Sequence, residues 1–440
     1  MRARRQLGLG SAAAVVVASM VGAGVFTTSG FALADLGSRR LVLLAWVVGG
    51  VLALCGALCY GALGRRFPQS GGEYHLLRET VHPLAGFLAG WVSLLAGFTA
   101  PTAAAALGLQ AYLAPLLGDA FDPRWIGTAA VALACALHGL RVGTGVAAQN
   151  AAVALKLLLL VGFVGFGAAR LLAADPEPAA LAAAAPPPFE LGAFAVSLVW
   201  ISFAYSGWNA AVYLAGELRR PARDLHRSLL IGAVAVTLLY LGLNAVFLYA
   251  VPVEQLAGRV EVGAIAAEAL GGPWLRNAVS VMVALALFTS VSALVQLGPR
   301  VYARMAEDGL FPRVFRFDGR APAAAVALQG SLAVLVIWVS GLAGLLAYLG
   351  FTLGLSAAAT VLGLVRQRRR EGAAALPVPG WPWTPAVFVL FTLGASAFMA
   401  ARQPVESLCG LATILTGVPV WWWLSRHATR SRQDGSQAGP

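Results

Sequence analysis

Stretches of about 20 apolar residues alternate with short polar segments along most of the chain. A helix of that length crosses roughly 30 Å of hydrocarbon. The pattern predicts twelve membrane spans, at 11–33, 41–63, 84–117, 124–140, 147–170, 191–216, 228–251, 276–303, 322–341, 343–365, 383–401 and 406–424. Most read as plain Leu/Val/Ala helices. Two are interrupted near their middles, by SMVGAGVFTTSG (19–30) in span 1 and ISFAYSGWNAA (201–211) in span 6. A glycine inside a helix costs about 1 kcal/mol relative to alanine, so clustered Gly and Ser mark places where a helix can open. Within lipid an opened helix is tolerated only where its backbone is buried in protein or lines a cavity.

The interruptions fall in the first helix of each of two five-helix blocks. Broken helices at matching places in two halves point to a transporter built from inverted repeats. The predicted architecture is an all-α polytopic membrane protein of twelve transmembrane helices, 5+5 plus two, with helices 1 and 6 discontinuous. The chain divides into an N-terminal segment (1–10), a first repeat (11–173), an external loop (174–190), a second repeat (191–366), spans 11 and 12 with their preceding loop (367–425), and a disordered tail (426–440). The stretch 252–275 has helical periodicity and is expected to form a lid on the membrane surface.

Composition agrees: the chain is 59% hydrophobic and 11% charged, with mean hydropathy +0.77, where a soluble domain is about a quarter charged. The net charge of +12 reports topology rather than nucleic-acid binding. Of the 30 arginines, 23 fall in alternate segments together with both termini, and 7 in the others. This positive-inside bias places both termini in the cytoplasm of a cell whose inner membrane holds the protein. The N-terminal apolar run, with ALAD at 32–35, has some features of a signal peptide. Its length and its GAGVFTTSG segment favour a retained first helix. Cys55, Cys59, Cys135 and Cys409 lie in apolar spans without metal or redox spacing, and neither metal nor cofactor is expected.

Opening span 1 frees N–H groups at the start of its second half and carbonyls at the end of its first. Helix ends carry roughly half a charge of matching sign, so the N–H groups suit a carboxylate and the carbonyls an ammonium. Span 6 adds a second set. Backbone alone would then hold a zwitterionic α-amino acid. The competing reading of Gly22 and Gly24 is close helix packing.

These residues resemble a known family. VGAGVF (21–26) resembles the Gly-Ser-Gly-Ile-Phe motif of the amino acid–polyamine–organocation superfamily. FAYSGWNAAVYLAGELRRPARDLHRSL (203–229) and GPRVYARMAEDGLFP (298–312) are similar to the sixth and eighth helices of its permeases, closest to L-type amino acid transporters and their bacterial relatives. The resemblance implies a LeuT-like fold. It implies carboxylate binding at Gly22, Ala23, Gly24 and Val25, and ammonium binding by carbonyls of Phe203, Ala204 and Ser206. Ala23 stands where the family often has serine, which leaves the carboxylate to backbone amides.

Lys156, the only lysine among 31 basic residues, lies roughly 14 Å from one end of span 5 and 21 Å from the other. An ionisable group at that depth is functional by default. The resemblance implies that its ammonium replaces the cation of sodium-coupled relatives, reaching carbonyls near Gly22 and hydroxyls among Thr289, Ser290 and Ser292. The alternative is an ammonium that ties helices structurally. Phe203 or Trp208 could gate the site, Tyr205 reads as core, and Glu217 as an ion pair or gate contact. Spans 1, 3, 6, 8 and 10 contain no mid-membrane Asp or Glu, which favours neutral over cationic substrates.

The expected function is sodium-independent transport of neutral α-amino acids by alternating access, proton-coupled or by exchange, with no nucleic-acid partner. An exporter or antiporter and a non-transporting sensor are alternatives; binding without liposome uptake would mark the sensor. An intramembrane enzyme is disfavoured, since no His-Glu-x-x-His, Gly-x-Ser-x-Gly or clustered carboxylates occur in the spans.

Overall fold

The computed structural model describes residues 7–118, 122–139, 146–173, 188–316 and 323–437. Residues 1–6 of the expected N-terminal segment and 174–187 of the expected external loop lie outside them. Among the described residues, regular structure is helical apart from an isolated bridge between Leu7 and Leu218.

The first half runs through α1 (Leu9–Met20), α2 (Ala23–Leu36), α3 (Arg39–Arg66), α4 (Gly72–Thr80), α5 (Pro83–Leu117), α6 (Arg124–Gly139) and α7 (Val146–Ala173). The second runs through α8 (Leu191–Ala204), α9 (Ala210–Tyr213), α10 (Pro221–Ala250), α11 (Val253–Leu256), α12 (Val262–Glu307), α13 (Ala323–Val339) and α14 (Leu342–Glu371). Helices α15 (Trp383–Arg402) and α16 (Pro404–Gln437) follow. The expected lid, 252–275, forms α11 and the start of α12, which kinks where Gly272 adopts φ +76°. Helix α16 runs to Gln437, into the expected tail, whose residues 438–440 lie outside the described ones; no Gly or Pro interrupts the chain between Pro419 and Gly435.

Eight described helices are long and apolar enough to cross a bilayer, and the bent pair α1/α2 makes a ninth span when counted as one. The chain is thus a multi-pass membrane protein. The predicted count of twelve is not reached, because three segments are short. Helices α6, α8 and α13 have 16, 14 and 17 residues, against the roughly 20 that an untilted span needs. Helix α8 is short because the chain unwinds after Ala204.

Helix α1 packs on α10, α2 on α8, α10 along α3, and α12 along α5. Straps hold the α1/α2 pair before α1 and at the middle of α2. At one end Leu7 N–H donates to the Glu217 carbonyl (3.1 Å), and Arg219 N–H donates to that of Leu7 (2.9 Å). Within α2, Gly258 N–H donates to the Gly30 carbonyl (2.8 Å). A Cβ on Gly30 would fall 1.8 Å from the Arg259 carbonyl oxygen, so the loop seats there only on glycine. On α7, Leu158 and Val161 face outward while Lys156 and Leu160 are buried, so the lone lysine points into the bundle.

Candidate functional site

The first break lies at Val21 and Gly22, with a 40° bend between α1 and α2. Gly22 is extended (φ −127°, ψ −154°) and caps α2 without a side-chain hydrogen bond, so the first-turn N–H groups of α2 lack a side-chain partner. The glycines divide between the two readings. A Cβ on Gly24 would lie 2.4 Å from Ala204 Cα, so Gly24 lets α2 and α8 touch. Gly207, at φ +95°, likewise fits against the Ser19 carbonyl. At Gly22 a Cβ would meet nothing nearer than Ser290 Oγ at 3.8 Å, an ordinary contact, so no close packing requires glycine there.

The second break spans Tyr205–Asn209, which turns rather than winds as helix. Two of the predicted ammonium acceptors already have partners. The Phe203 carbonyl accepts from Ser206 N–H at 2.8 Å, because the chain turns tightly there. The Ala204 carbonyl lies 3.0 Å from Tyr240 Oη. A carbonyl has two lone pairs, so either can take a second donor.

Sequence reasoning missed Tyr240. Its hydroxyl lies 2.6 Å from the Met20 carbonyl and 3.0 Å from that of Ala204, bridging the last turns before both breaks. One turn along α10, Asn244 donates to the Tyr240 carbonyl (2.8 Å) and accepts from the Ser29 hydroxyl, which itself accepts from Trp46 Nε1 (2.9 Å). The available signal was a Tyr and an Asn four residues apart in an apolar span. Tyr205 packs between Trp46 and Tyr240 and donates to the Trp46 carbonyl at 2.9 Å, as core.

Lys156 donates to the Val21 carbonyl at 2.8 Å. Ser290 donates to the same oxygen at 2.9 Å. The other two predicted hydroxyls do not join them. Thr289 folds back on the Ala286 carbonyl (2.7 Å), and Ser292 pairs with His138 Nε2 (2.8 Å). Successive helical residues are about 100° apart, so only Ser290 of the three faces the break.

A cavity of about 170 Å³ lies beside both breaks, more than ten times the roughly 10–15 Å³ that holds one water. Its wall includes Gly22, Ala23, Gly24, Phe203, Ala204 and Ser206, whereas Val25 and Lys156 stand outside the wall. Lys156 therefore touches the break from behind. Trp208 is wedged edge-on between Tyr60 (centroids 4.7 Å) and Phe388 (5.9 Å), and Phe203 lines the wall beside it. Glu217 faces Arg300 at 3.8 Å, next to the Leu7 strap.

The wall also holds Glu73, from outside the predicted spans. Gly71 and Gly72, at φ +131° and +58°, turn the chain so that α4 starts beneath the cavity. Among the described residues, spans 1, 3, 6, 8 and 10 indeed bring no Asp or Glu to the wall; the carboxylate comes from the segment between spans 2 and 3. Glu73 accepts from Tyr60 Oη (2.6 Å), Asn209 Nδ2 (3.1 Å) and Ser356 Oγ (2.5 Å).

A polytopic helical bundle with two unwound helices meeting at one small cavity has the architecture of a membrane permease. The chain belongs to the amino acid permease family, whose model matches residues 7–419. It is 29% identical to the large neutral amino acids transporter small subunit 2 of Mus musculus, over 95% of this chain and 81% of that protein. It is 26% identical to the Asc-type amino acid transporter 1 of Mus musculus, over 95% and 81%. It is also 26% identical to the serine/threonine exchanger SteT of Bacillus subtilis, over 96% and 98%.

Proposed function

We propose that this permease carries neutral α-amino acids across the cytoplasmic membrane by alternating access, with both termini in the cytoplasm. The fold is LeuT-like, twelve helices arranged as two five-helix repeats plus two. The observation that carries the reading is the pair of breaks sharing one cavity wall, with the uncapped start of α2 on it. Backbone amides of Gly22, Ala23 and Gly24 take the substrate carboxylate, aided by the positive end of the α2 dipole. Carbonyls of Phe203, Ala204 and Ser206 take the ammonium. Phe203 closes over the bound molecule, and Trp208 shifts as the half-helices move.

The cycle needs no sodium. The Lys156 ammonium stands where a cation would otherwise hold α1 to α12, with Ser290 completing the contact. Movement is by exchange or coupled to protons. The relatives' printed names, among them a large neutral, an Asc-type and a serine/threonine carrier, support the amino-acid substrate class. Counterflow of individual radiolabelled amino acids into liposomes holding the purified protein, with and without a pH gradient, tests this. Uptake of neutral but not basic amino acids, indifferent to sodium, is expected. Saturable binding with no uptake would instead make the chain a sensor.

A further inference from the structure

Glu73 is the one Asp, Glu, His, Lys or Arg side chain in the cavity wall among the described residues, and it takes no part in holding the substrate's two charges. Its carboxylate is buried at 6% exposure and joins four parts of the bundle. Helix α4 carries it, α3 supplies Tyr60, the second break supplies Asn209, and α14 supplies Ser356. No cation pairs with it among the described residues. The titratable groups facing it are Tyr60 from α3 and Tyr213 from α9. From α14 comes Ser356, and behind the two tyrosines stand Thr360 of α14 against Tyr60 and Ser93 of α5 against Tyr213, all neutral. The charged groups of α4 point elsewhere: Arg78 to Asp308 (2.5 Å), and Glu79 toward His75 (3.9 Å).

A buried carboxylate without a counter-cation is held between two states. Burial raises its affinity for a proton, and the hydrogen bonds from Ser356, Tyr60 and Asn209 oppose that rise. The geometry accommodates both states. Asn209 and Tyr60 share Oε1, and Ser356 alone serves Oε2. A proton arriving from water on Oε2 turns Ser356 from donor to acceptor. The serine hydrogen can then go to a carbonyl one helical turn back. No bond is orphaned, and the proton leaves by the reverse rotation.

We propose that Glu73 is the proton-binding site of the transport cycle. The ionised form holds Asn209, and with it the second break, through a charge-assisted bond that weakens on protonation. By linkage, a substrate that shifts Ser206–Asn209 changes the proton affinity of Glu73 by the factor by which protonation changes the substrate's affinity. The proposal rests on the amino-acid transport reading and adds the place where its proton binds.

Liposomes holding the full-length chain and a trapped pH-sensitive dye test it, with L-alanine, L-serine and L-leucine as substrates. The readout is protons moved per radiolabelled amino acid moved, which does not depend on the overall rate. For the unaltered protein the ratio is finite. In E73Q it falls at least tenfold, and in E73D it persists with a shifted pH midpoint. An unchanged ratio in E73Q overturns the proposal. If E73Q moves no amino acid, E73D decides, and an unshifted midpoint there overturns it equally. Net amino acid uptake into liposomes holding no amino acid, without any proton movement in the unaltered protein, also overturns it while leaving the transport reading intact. Absence of counterflow there overturns that reading itself.

Discussion

The Lys156 ammonium donates to the Val21 carbonyl at 2.8 Å, across 135 positions of sequence, and fills the acceptor that the first helix break exposes. A hydrogen bond with one charged partner contributes about 1.5–3 kcal/mol. Lys156→Met should therefore lower counterflow roughly ten- to a hundredfold. Lys156→Ala transporting normally, with unchanged pH dependence, would remove the lysine from the mechanism.

Gly22 and Gly24 separate binding from packing. In Gly24→Ala the new methyl meets Ala204 backbone at 2.4 Å, so α2 and α8 must part, at about 1–3 kcal/mol. A fall in thermal stability together with lost uptake is expected. In Gly22→Ala the nearest atoms stand 3.8 Å and 3.9 Å away, so the unfolding temperature should hold. The methyl enters the cavity instead and raises KM for substrate. Equal destabilisation by both substitutions would mean that both glycines serve packing alone.

Tyr240→Phe removes the hydroxyl shared by the Met20 and Ala204 carbonyls. A neutral hydrogen bond contributes about 0.5–1.5 kcal/mol, so a modest drop in stability should accompany a larger drop in transport, since the one hydroxyl within reach of both breaks is lost. Thermal unfolding in detergent and counterflow, measured on the same preparation, compare the two.

His75 supplies a pH signature away from the spans. Burial lowers its pKa; Glu79 opposes, and Arg304 and Arg78 add to the lowering. The unfolded chain therefore takes the proton first as pH falls. Its contribution to stability is full above the ordinary histidine pKa of about 6.5 and is lost below it. Between about pH 7.5 and 5.5 the unfolding temperature should fall less in His75→Gln than in the unaltered protein. Parallel curves would show that another group sets the acid side.

Sequence pattern located most helix ends to within a few residues because hydrocarbon demands long apolar runs. Span 2, read as 41–63, is Arg39–Arg66, and span 11, read as 383–401, is Trp383–Arg402. The break at Gly22 was legible because glycines cluster there. The partners of the break were legible only in part. Periodicity could bring Ser290 to α1 but could not say that Thr289 and Ser292 face elsewhere. Tyr240 and Asn244 sit in an otherwise plain apolar run, and their purpose shows only where carbonyls from two other helices converge on one hydroxyl. Glu73 was hidden by its position between spans, since its burial depends on the Gly71–Gly72 turn tucking α4 under the cavity.

Main-chain capture of both ends of a zwitterion is tested most directly by competition in counterflow. One transported amino acid is set against its N-acetyl derivative, which lacks the ammonium, and against the corresponding amine, which lacks the carboxylate. Only the intact amino acid should compete. Equal competition by either derivative would contradict the binding of both charges by the two opened helices.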